Sequence, residues 1–394
     1  MSVDTSQLVY QYLASGKYLS ALHLLRQSFI SFEQTPQAAN LLMWTLNAVD
    51  PWDVGWSFIE DYQLRDRRDQ RLQASLSEEA REIPSLGDLV EPEGPIAAAL
   101  ADHRVIIIME AHRAPETRYF GTQLLRALKA AGATHFAFET AAQLPLDKFA
   151  RTGILRPDTE VYAFDPSRAS LLRTARELGL KLVAFDFSPK WYMRTSVAQQ
   201  LQQRLFTAEN VNRERERSMA ENIVRLIIRR NPAARVVVWT GEQHAMKRTP
   251  PNWGPGWSHP FMAAHLATLM DEEPFCVWQS CVDMPALYAE PLLLQGKHAW
   301  LRERGVDVAV LHHRGPTPMR PAWLDQGKVP VNISTEGAEL IQAIPAQEGP
   351  DAVPVAQWLT SEAQIQALLP PGDYLLRQLH NEDEIISELK LSVH

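Results

Sequence analysis

The sequence predicts an α/β fold, in which a mostly parallel sheet is flanked by helices, with a helical region before it and a small β-rich region after it. Short aliphatic segments alternate with helical segments between about residues 96 and 320. This alternation is typical of parallel sheets that carry helices on both faces. Four of the aliphatic segments are apolar or β-branched on both faces, as strands buried between two helix layers are.

The first region, residues 1–83, is predicted to be helical. Leu19, Leu22 and Leu25 recur at the spacing of one helix face. A stretch rich in Pro and Gly, residues 84–98, marks the boundary to the next region. We interpret the first region as a helical cap on the main domain, and a module that binds a protein partner is the alternative.

The second region, residues 84–324, is predicted to be the α/β core domain. Residues 115–131 are predicted to form the helix between its first two strands, and a long helical stretch that ends at Asn231-Pro232 precedes the fourth. The predicted strands are residues 104–110, 134–140, 180–187, 234–242, 275–280 and 306–313.

The third region, residues 325–394, is predicted to be a small β-rich domain. Its apolar segments are short and are separated by turns that contain Pro and Gly. Leu389, Leu391 and Val393 alternate with polar residues, which is the period of a half-buried strand. No catalytic motif occurs in this region.

Composition excludes several classes of protein. The net charge of −8 argues against binding to nucleic acid, which needs a basic face. No apolar run approaches the roughly 18 residues of a membrane span, and the N-terminus does not resemble a signal peptide. The two cysteines, Cys276 and Cys281, cannot form a disulfide framework or a CxxC zinc site. We therefore expect a reduced, cytoplasmic protein that acts on a small molecule.

The chemistry is expected at the carboxyl ends of the parallel strands, where sites form in open sheets. The first and fourth predicted strands end in the same pattern, a carboxylate, one residue and an imidazole. Residues i and i+2 of an extended chain point to the same side, so each segment directs both groups one way. The second and third strands also end in a carboxylate. The residues that we expect to converge are Glu110, His112, Glu139, Asp186, Glu242 and His244.

Two mechanisms fit these residues. In the first, a neutral histidine activates water and a neighbouring carboxylate orients the imidazole, which gives hydrolysis by general-base catalysis. In the second, His112, His244 and a carboxylate such as Glu110 bind a divalent ion that acidifies its own water. The spacing of the residues does not decide between the two mechanisms.

Further residues are candidates for binding the substrate. Arg118 and Arg215 are placed where a guanidinium can hold an anionic group or an oxyanion. The loop after the second motif is rich in Pro, Gly and Trp, which is typical of a lid or a substrate wall. Trp253 and Trp257 of that loop are expected to line an apolar pocket.

Four segments resemble a known superfamily. The start of the core, PIAAALADHRVIIIMEAHRAPETRYFGTQLLRAL, is similar to the opening of the ChaN-like and erythromycin-esterase-like proteins, whose first strand ends in a GE-x-H-type motif. THFAFET resembles their second strand, RERERSMAENIVRL their helix with Met-Ala-x-Asn, and VVVWTGEQHAM their second His-bearing strand. Paired G-x-x-H motifs also define the group of the TraB and Tiki proteins. The resemblance covers about residues 95 to 285, with Met109 where the family usually has Gly.

The resemblance implies a different activity for each branch. Erythromycin-esterase relatives hydrolyse esters with a water activated by His and Glu and need no metal, Tiki relatives are metal-dependent peptidases, and ChaN relatives bind haem or iron. The first hypothesis is therefore an esterase-like hydrolase without a cofactor. The residues predicted for catalysis are Glu110, His112, Glu139, Glu242 and His244.

In this first hypothesis His112 is the base, Glu110 is its partner, Glu139 supports the network, and His244 stabilises the transition state or shares the proton transfer. The second hypothesis is a protein that binds haem or a metal through His112 or His244 without turnover. The third is a scaffold with a degenerate site, which rests on Met109 and on the helical N-terminal region.

Overall fold

The structure is a computed structural model. It describes residues 3–29, 45, 48–49, 90–112, 114–186, 208–241, 243–250, 259–282, 290–295, 299–313 and 322–394.

The predicted parallel sheet is present and holds seven strands in the order β3-β2-β4-β1-β5-β7-β6. All neighbouring strands are parallel except β6 and β7, which are antiparallel. Each of the six predicted strands overlaps one observed strand, and β6 is an addition that the sequence did not reveal. The strands are β1 (Val105–Met109), β2 (His135–Phe138), β3 (Lys181–Ala184), β4 (Val236–Thr240), β5 (Phe275–Val282), β6 (Leu292–Leu294) and β7 (Val308–His313).

Helices cover both faces of this sheet. The two faces of β1 show why the strand is apolar throughout, since Ile107 packs in one core cluster and Ile106 in the other. One cluster contains residues of α7 and α8, and the opposite one contains residues of α4 and α6. The helices are α1 (Val3–Ala14), α2 (Tyr18–Phe29), α3 (Glu93–Ala98), α4 (Pro115–Ala130), α5 (Gln143–Thr152), α6 (Pro166–Glu177), α7 (Ala208–Ile223), α8 (Met262–Met270) and α9 (Ala299–Arg304).

The C-terminal region is β-rich, as the sequence predicts. One antiparallel sheet has the order β10-β9-β12-β13, and β11 pairs with β8 in a second one. The strands are β8 (Val329–Ser334), β9 (Leu340–Pro345), β10 (Ala356–Leu359), β11 (Gln364–Leu369), β12 (Gly372–His380) and β13 (Glu384–Val393).

Helices α1 and α2 pack against both other regions. Their core cluster includes Phe164 of the central region and Leu340 and Leu379 of the C-terminal sheet. The hydroxyl of Tyr18 donates to the carbonyl of Phe164 over 3.0 Å, and Asp383 accepts the backbone N–H groups at the start of α2. The boundary predicted at residues 83 and 84 lies outside the described residues, and both predicted domain boundaries stay predictions.

No helix in the described ranges is long and apolar enough to cross a membrane.

Candidate active site

The carboxyl ends of three adjacent strands form the site. Strand β4 lies between β2 and β1 in the sheet. The backbone pairing continues one residue beyond the strands, because Glu110 N–H donates to Thr240 O over 2.8 Å and Glu139 N–H donates to Trp239 O over 3.2 Å. Gly241 follows directly on β4. Glu110 and Glu139 therefore leave their strands at the same end of the sheet.

A hydrogen bond joins Glu110 and His112 into a dyad. His112 Nδ1 lies 2.8 Å from Glu110 Oε1, which confirms that the two side chains of the first motif point the same way. Trp239 Nε1 donates to the second oxygen, Oε2, over 2.6 Å. Arg168 donates from Nη1 to Oε1, and Arg118 Nη1 lies 3.8 Å from the same atom. The Glu110 side chain is thus enclosed by four polar neighbours.

The surroundings of Glu110 keep its carboxyl group ionised. Glu110 is fully buried, and burial alone raises the pKa of a carboxyl group. The positive charges of Arg168 and Arg118 and the hydrogen bond with His112 outweigh that effect, so the pKa of Glu110 lies well below its usual range. An ionised carboxylate only accepts hydrogen bonds. We therefore assign the proton of a neutral His112 to Nδ1 and the lone pair to Nε2.

The imidazole of His112 lies against the backbone of Gly241. A Cβ atom added at Gly241 would come within 2.6 Å of His112 Nε2 and 2.9 Å of Cε1, closer than real Cβ contacts. A residue larger than glycine at position 241 would therefore displace the imidazole of His112. The His112 side chain keeps 34% of its surface exposed, so a small molecule can approach it from solvent.

Glu139 fixes the backbone on which His112 lies. Its Oε2 accepts the backbone N–H of Gly241 and, over 2.8 Å, the hydroxyl of Thr240. Its Oε1 accepts Arg215 Nη2 over 2.7 Å and lies 3.3 Å from His244 Nε2. Burial raises the pKa of Glu139, but His244 and Arg215 lower it further than burial raises it. Glu139 is therefore an ionised anchor beneath Gly241.

His244 is a buried cation between two carboxylates. Its Nδ1 lies 2.8 Å from Glu216, and its Nε2 faces Glu139. Burial lowers the pKa of His244, but the two carboxylates raise it to about 10. His244 lies in a short helical turn, Gln243–Ala245, so the argument from extended backbone does not apply to it. Its partner in the motif, Glu242, lies outside the described residues.

The two predicted substrate-binding arginines are held by carboxylates. Arg215 donates from Nε and Nη2 to the two oxygens of Asp186, over 3.0 and 2.9 Å, in addition to its bond with Glu139. Asp186 thus joins the site, as the sequence predicts. The predicted contact of Arg215 with a substrate stays a prediction, and its side chain is 21% exposed.

Arg118 is 2% exposed. It donates to Asp165 over 2.8 Å, to the hydroxyl of Ser167 over 2.7 Å and to the carbonyl of His112 over 3.1 Å. These contacts make Arg118 a support of the dyad. Its predicted contact with a substrate stays a prediction. Trp253 and Trp257, the predicted pocket walls, lie outside the described residues.

Two residues that contact the site, Arg168 and Glu216, could not be recognised from the sequence. Arg168 stands in the first turn of α6, where Asp165 caps the helix and Pro166 follows. The Asp-Pro pair marks that helix start, but nothing local shows that Arg168 reaches Glu110. Glu216 is adjacent to Arg215 in a run of alternating charges, which is also typical of an exposed helix surface.

Backbone strain also marks the end of β2. Thr140 has a φ of +64°, which is rare for a β-branched residue. Its hydroxyl accepts a hydrogen bond from Arg168 over 2.8 Å and lies 2.9 Å from Glu160. Strain of this kind concentrates at functional sites, and here it adjoins Glu139.

The predicted metal ligands do not fit a shared ion. Glu110 already accepts from Arg168, Trp239 and His112, and both nitrogens of His244 face carboxylates. Among the residues that the structure describes, no group of three or more His, Cys, Asp or Glu is arranged to hold a metal.

The opening beside the dyad is small. Tyr162, Phe164 and Asp165 line it together with Glu110 and His112. A larger cleft of about 740 Å³ lies elsewhere, between α4, α6 and the C-terminal strands, and none of the residues predicted for catalysis lines it. Of these two openings, the smaller one is lined by the buried, ionised Glu110 and the partly exposed imidazole of His112, and the larger one is lined by neither.

No model of a protein family matches the sequence, and no curated protein matches it. Weak similarity to solved structures exists. The chain is similar to ChaN of Campylobacter jejuni, whose structure shows cofacial haem binding, with 14% identity over 55% of this chain and 90% of that chain and a TM-score of 0.36. A protein from Bacillus cereus matches with 9% identity, over 57% and 92% of the two chains, with a TM-score of 0.44.

The toxin of Pasteurella multocida, which has a thiol-protease-like catalytic triad in its C-terminal region, matches with 13% identity. That match covers 58% of this chain and 29% of the toxin chain, with a TM-score of 0.33. Similarities this low decide neither family nor activity, so the resemblance to the ChaN-like and erythromycin-esterase-like proteins stays a prediction.

Proposed function

We propose that this protein is a hydrolase of ester or related acyl bonds, in which His112 activates a water molecule. The observation that carries the proposal is the hydrogen bond from His112 Nδ1 to the buried, ionised Glu110. A carboxylate on Nδ1 fixes the tautomer of the imidazole and stabilises the imidazolium that forms when Nε2 takes a proton. The His112 side chain is 34% exposed, so solvent can reach the imidazole.

The reaction needs one proton carrier. His112 Nε2 takes a proton from water while the water oxygen forms a bond to the carbonyl carbon of the substrate. The tetrahedral intermediate collapses when the bond to the leaving oxygen breaks and the imidazolium returns its proton to that oxygen. The products are an acid and an alcohol, and the enzyme is restored to its starting state.

The residues beyond the dyad have positioning roles in this proposal. Glu139 holds the N–H of Gly241, against which His112 lies. His244 and Arg215 supply the positive charge that keeps Glu139 ionised. We therefore assign His244 a positioning role instead of a share in the proton transfer, because it is 3% exposed and its two nitrogens face carboxylates.

A panel of esters and lactones tests the proposal. We expect His112→Ala to lower kcat by about 10²- to 10⁴-fold on any ester or lactone that the wild-type protein hydrolyses, which is the usual contribution of a general base. His103→Ala is the matched control, because His103 precedes β1 at the opposite edge of the sheet, contacts Glu273 and should leave kcat unchanged. Full activity in His112→Ala would exclude the mechanism.

The same geometry favours one second candidate. A histidine whose Nδ1 is held by a carboxylate is also the arrangement that metal-binding histidines use, so His112 could ligate haem or a metal ion from Nε2. Titration with haem, followed by a Soret band that His112→Ala abolishes, would support this candidate. Hydrolysis by the wild-type protein, free of metal by elemental analysis, would favour the first.

A further inference from the structure

We propose that two copies of this chain pair through strand β13 and join their C-terminal sheets into one continuous antiparallel sheet. The strand is ten residues long and lies at the end of the order β10-β9-β12-β13. Within the described part of the chain, its only pairing is with β12. The opposite edge of β13 therefore presents backbone N–H and C=O groups that another strand can satisfy.

Exposed apolar side chains concentrate on this strand. Ile385, Ile386 and Leu389 are 51%, 42% and 48% exposed. They are three of the seven large hydrophobic side chains that are exposed among the described residues, although β13 makes up a small part of the chain. A long edge strand with an apolar surface is a pairing site unless charge or shape prevents it.

The charges on β13 allow it to pair with a second copy and favour one register over its two neighbours. In a two-fold pair of antiparallel strands, Leu389 opposite the partner's Leu389 brings Glu388 opposite the partner's Lys390. The same attraction occurs a second time, between Lys390 and the partner's Glu388. A shift of the two-fold axis by one residue either way places Glu388 or Lys390 opposite itself. The register centred on Leu389 is thus favoured over both of its neighbours.

An ion pair within one chain adds a third charge to this row of alternating charges. Arg377 of β12 lies opposite Glu388 in the sheet and donates to it from Nε over 2.8 Å. In the paired form, Glu388 lies between Arg377 and the partner's Lys390. The charges then alternate across the junction, which is the pattern that stabilises cross-strand neighbours.

Charge reversal tests this proposal on the full chain. We expect the wild-type protein to be a dimer in sedimentation analysis at about 100 µM. Lys390→Glu brings carboxylates together at both symmetric positions, and Glu388→Lys brings ammonium groups together. Each variant alone should weaken the dimer by about tenfold or more.

An equimolar mixture of the two variants should form a heterodimer, because both facing pairs are then of opposite charge. Thermal unfolding of each variant shows whether the fold is retained, and Lys390→Glu preserves the Arg377 ion pair. A monomeric wild-type protein would overturn the proposal. A dimer that Lys390→Glu does not weaken, or a mixture of the variants that stays monomeric, would also overturn it.

Discussion

The side chain of His112, which follows β1, lies against the backbone of Gly241, which follows β4. The absence of a Cβ at Gly241 is what allows this contact, since an added Cβ would lie 2.6 Å from Nε2. Two strands that are adjacent in the sheet but far apart in the sequence thus build the candidate site. The proposed reaction needs both residues. His112 supplies the imidazole, and Gly241 leaves the space that the imidazole occupies.

Gly241→Ala is expected to lower kcat by about 10²-fold with little loss of stability. The φ angle of Gly241 is not positive, so alanine fits the backbone, and the cost is a displaced imidazole. A displacement of about 1 Å at a reacting group is enough for a loss of this size. Steady-state kinetics check it, with Gly94→Ala as the control because a Cβ at Gly94 meets nothing within 4 Å.

Trp239→Phe is expected to lower both stability and activity. It removes the donor to Glu110 Oε2, and a buried group left without its partner costs about 1–3 kcal/mol. Trp300→Phe is the matched control, because Trp300 is equally buried and its Nε1 has no partner in the described structure. The difference between the unfolding free energies of the two variants, measured with denaturant, gives the contribution of the hydrogen bond to stability. Equal losses in the two variants would show that the indole N–H does not hold Glu110.

Because of His244, the free energy of unfolding should fall as the pH rises from neutral to alkaline values. Its pKa is about 10 in the folded protein against 6.5 without the fold. Since the folded value is the higher one, its contribution is complete below about pH 6.5 and is lost as the pH rises through 10. His244 therefore stabilises the fold at neutral pH through its two carboxylate partners.

His244→Gln is therefore expected to be less stable than the wild type at pH 7, with a gap that narrows toward pH 10. Urea unfolding of both proteins at several pH values between 6 and 10 measures this gap. A gap that stays constant over this range would mean that His244 is neutral in the fold.

A buried ion pair should connect the C-terminal region to the central domain. Arg173 of α6 donates to Glu348 from Nε over 2.6 Å and from Nη2 over 3.0 Å. Glu348→Gln leaves a buried guanidinium without its counter-charge, so we expect a loss of about 3–5 kcal/mol. Asp351→Asn is the control, since its pair with Arg156 is exposed and is worth less than about 1 kcal/mol. Similar losses in both variants would contradict the importance of the buried pair.

The sequence predicted the central sheet because its strands are apolar on both faces and alternate with helices. The strand β6, Leu292–Leu294, was not predicted, because three residues are too few to show a periodic pattern of apolar side chains. The strands β10 and β11 were not predicted either, because their sequences, AQWL and QIQALL, are short and of mixed polarity.

The site was predicted where a local rule holds. Glu110 and His112 lie two residues apart on extended backbone, and their side chains meet as that spacing predicts. His244 leaves β4 in a helical turn, so the same rule did not describe it. The contacts of Arg168 and Glu216 depend on how helices α6 and α7 pack on the sheet, which no local pattern encodes.

The most direct test of the proposed mechanism is the tautomer of His112, measured by ¹⁵N NMR on protein with labelled histidine at neutral pH. The signals of His112 are identified by their loss in His112→Ala. The mechanism predicts a neutral ring protonated on Nδ1, with a downfield proton that shifts upfield in Glu110→Gln as the charge of the acceptor is lost. A proton on Nε2 instead, or an Nδ1 proton unaffected by Glu110→Gln, would contradict the claim that Glu110 prepares His112 to act as a base.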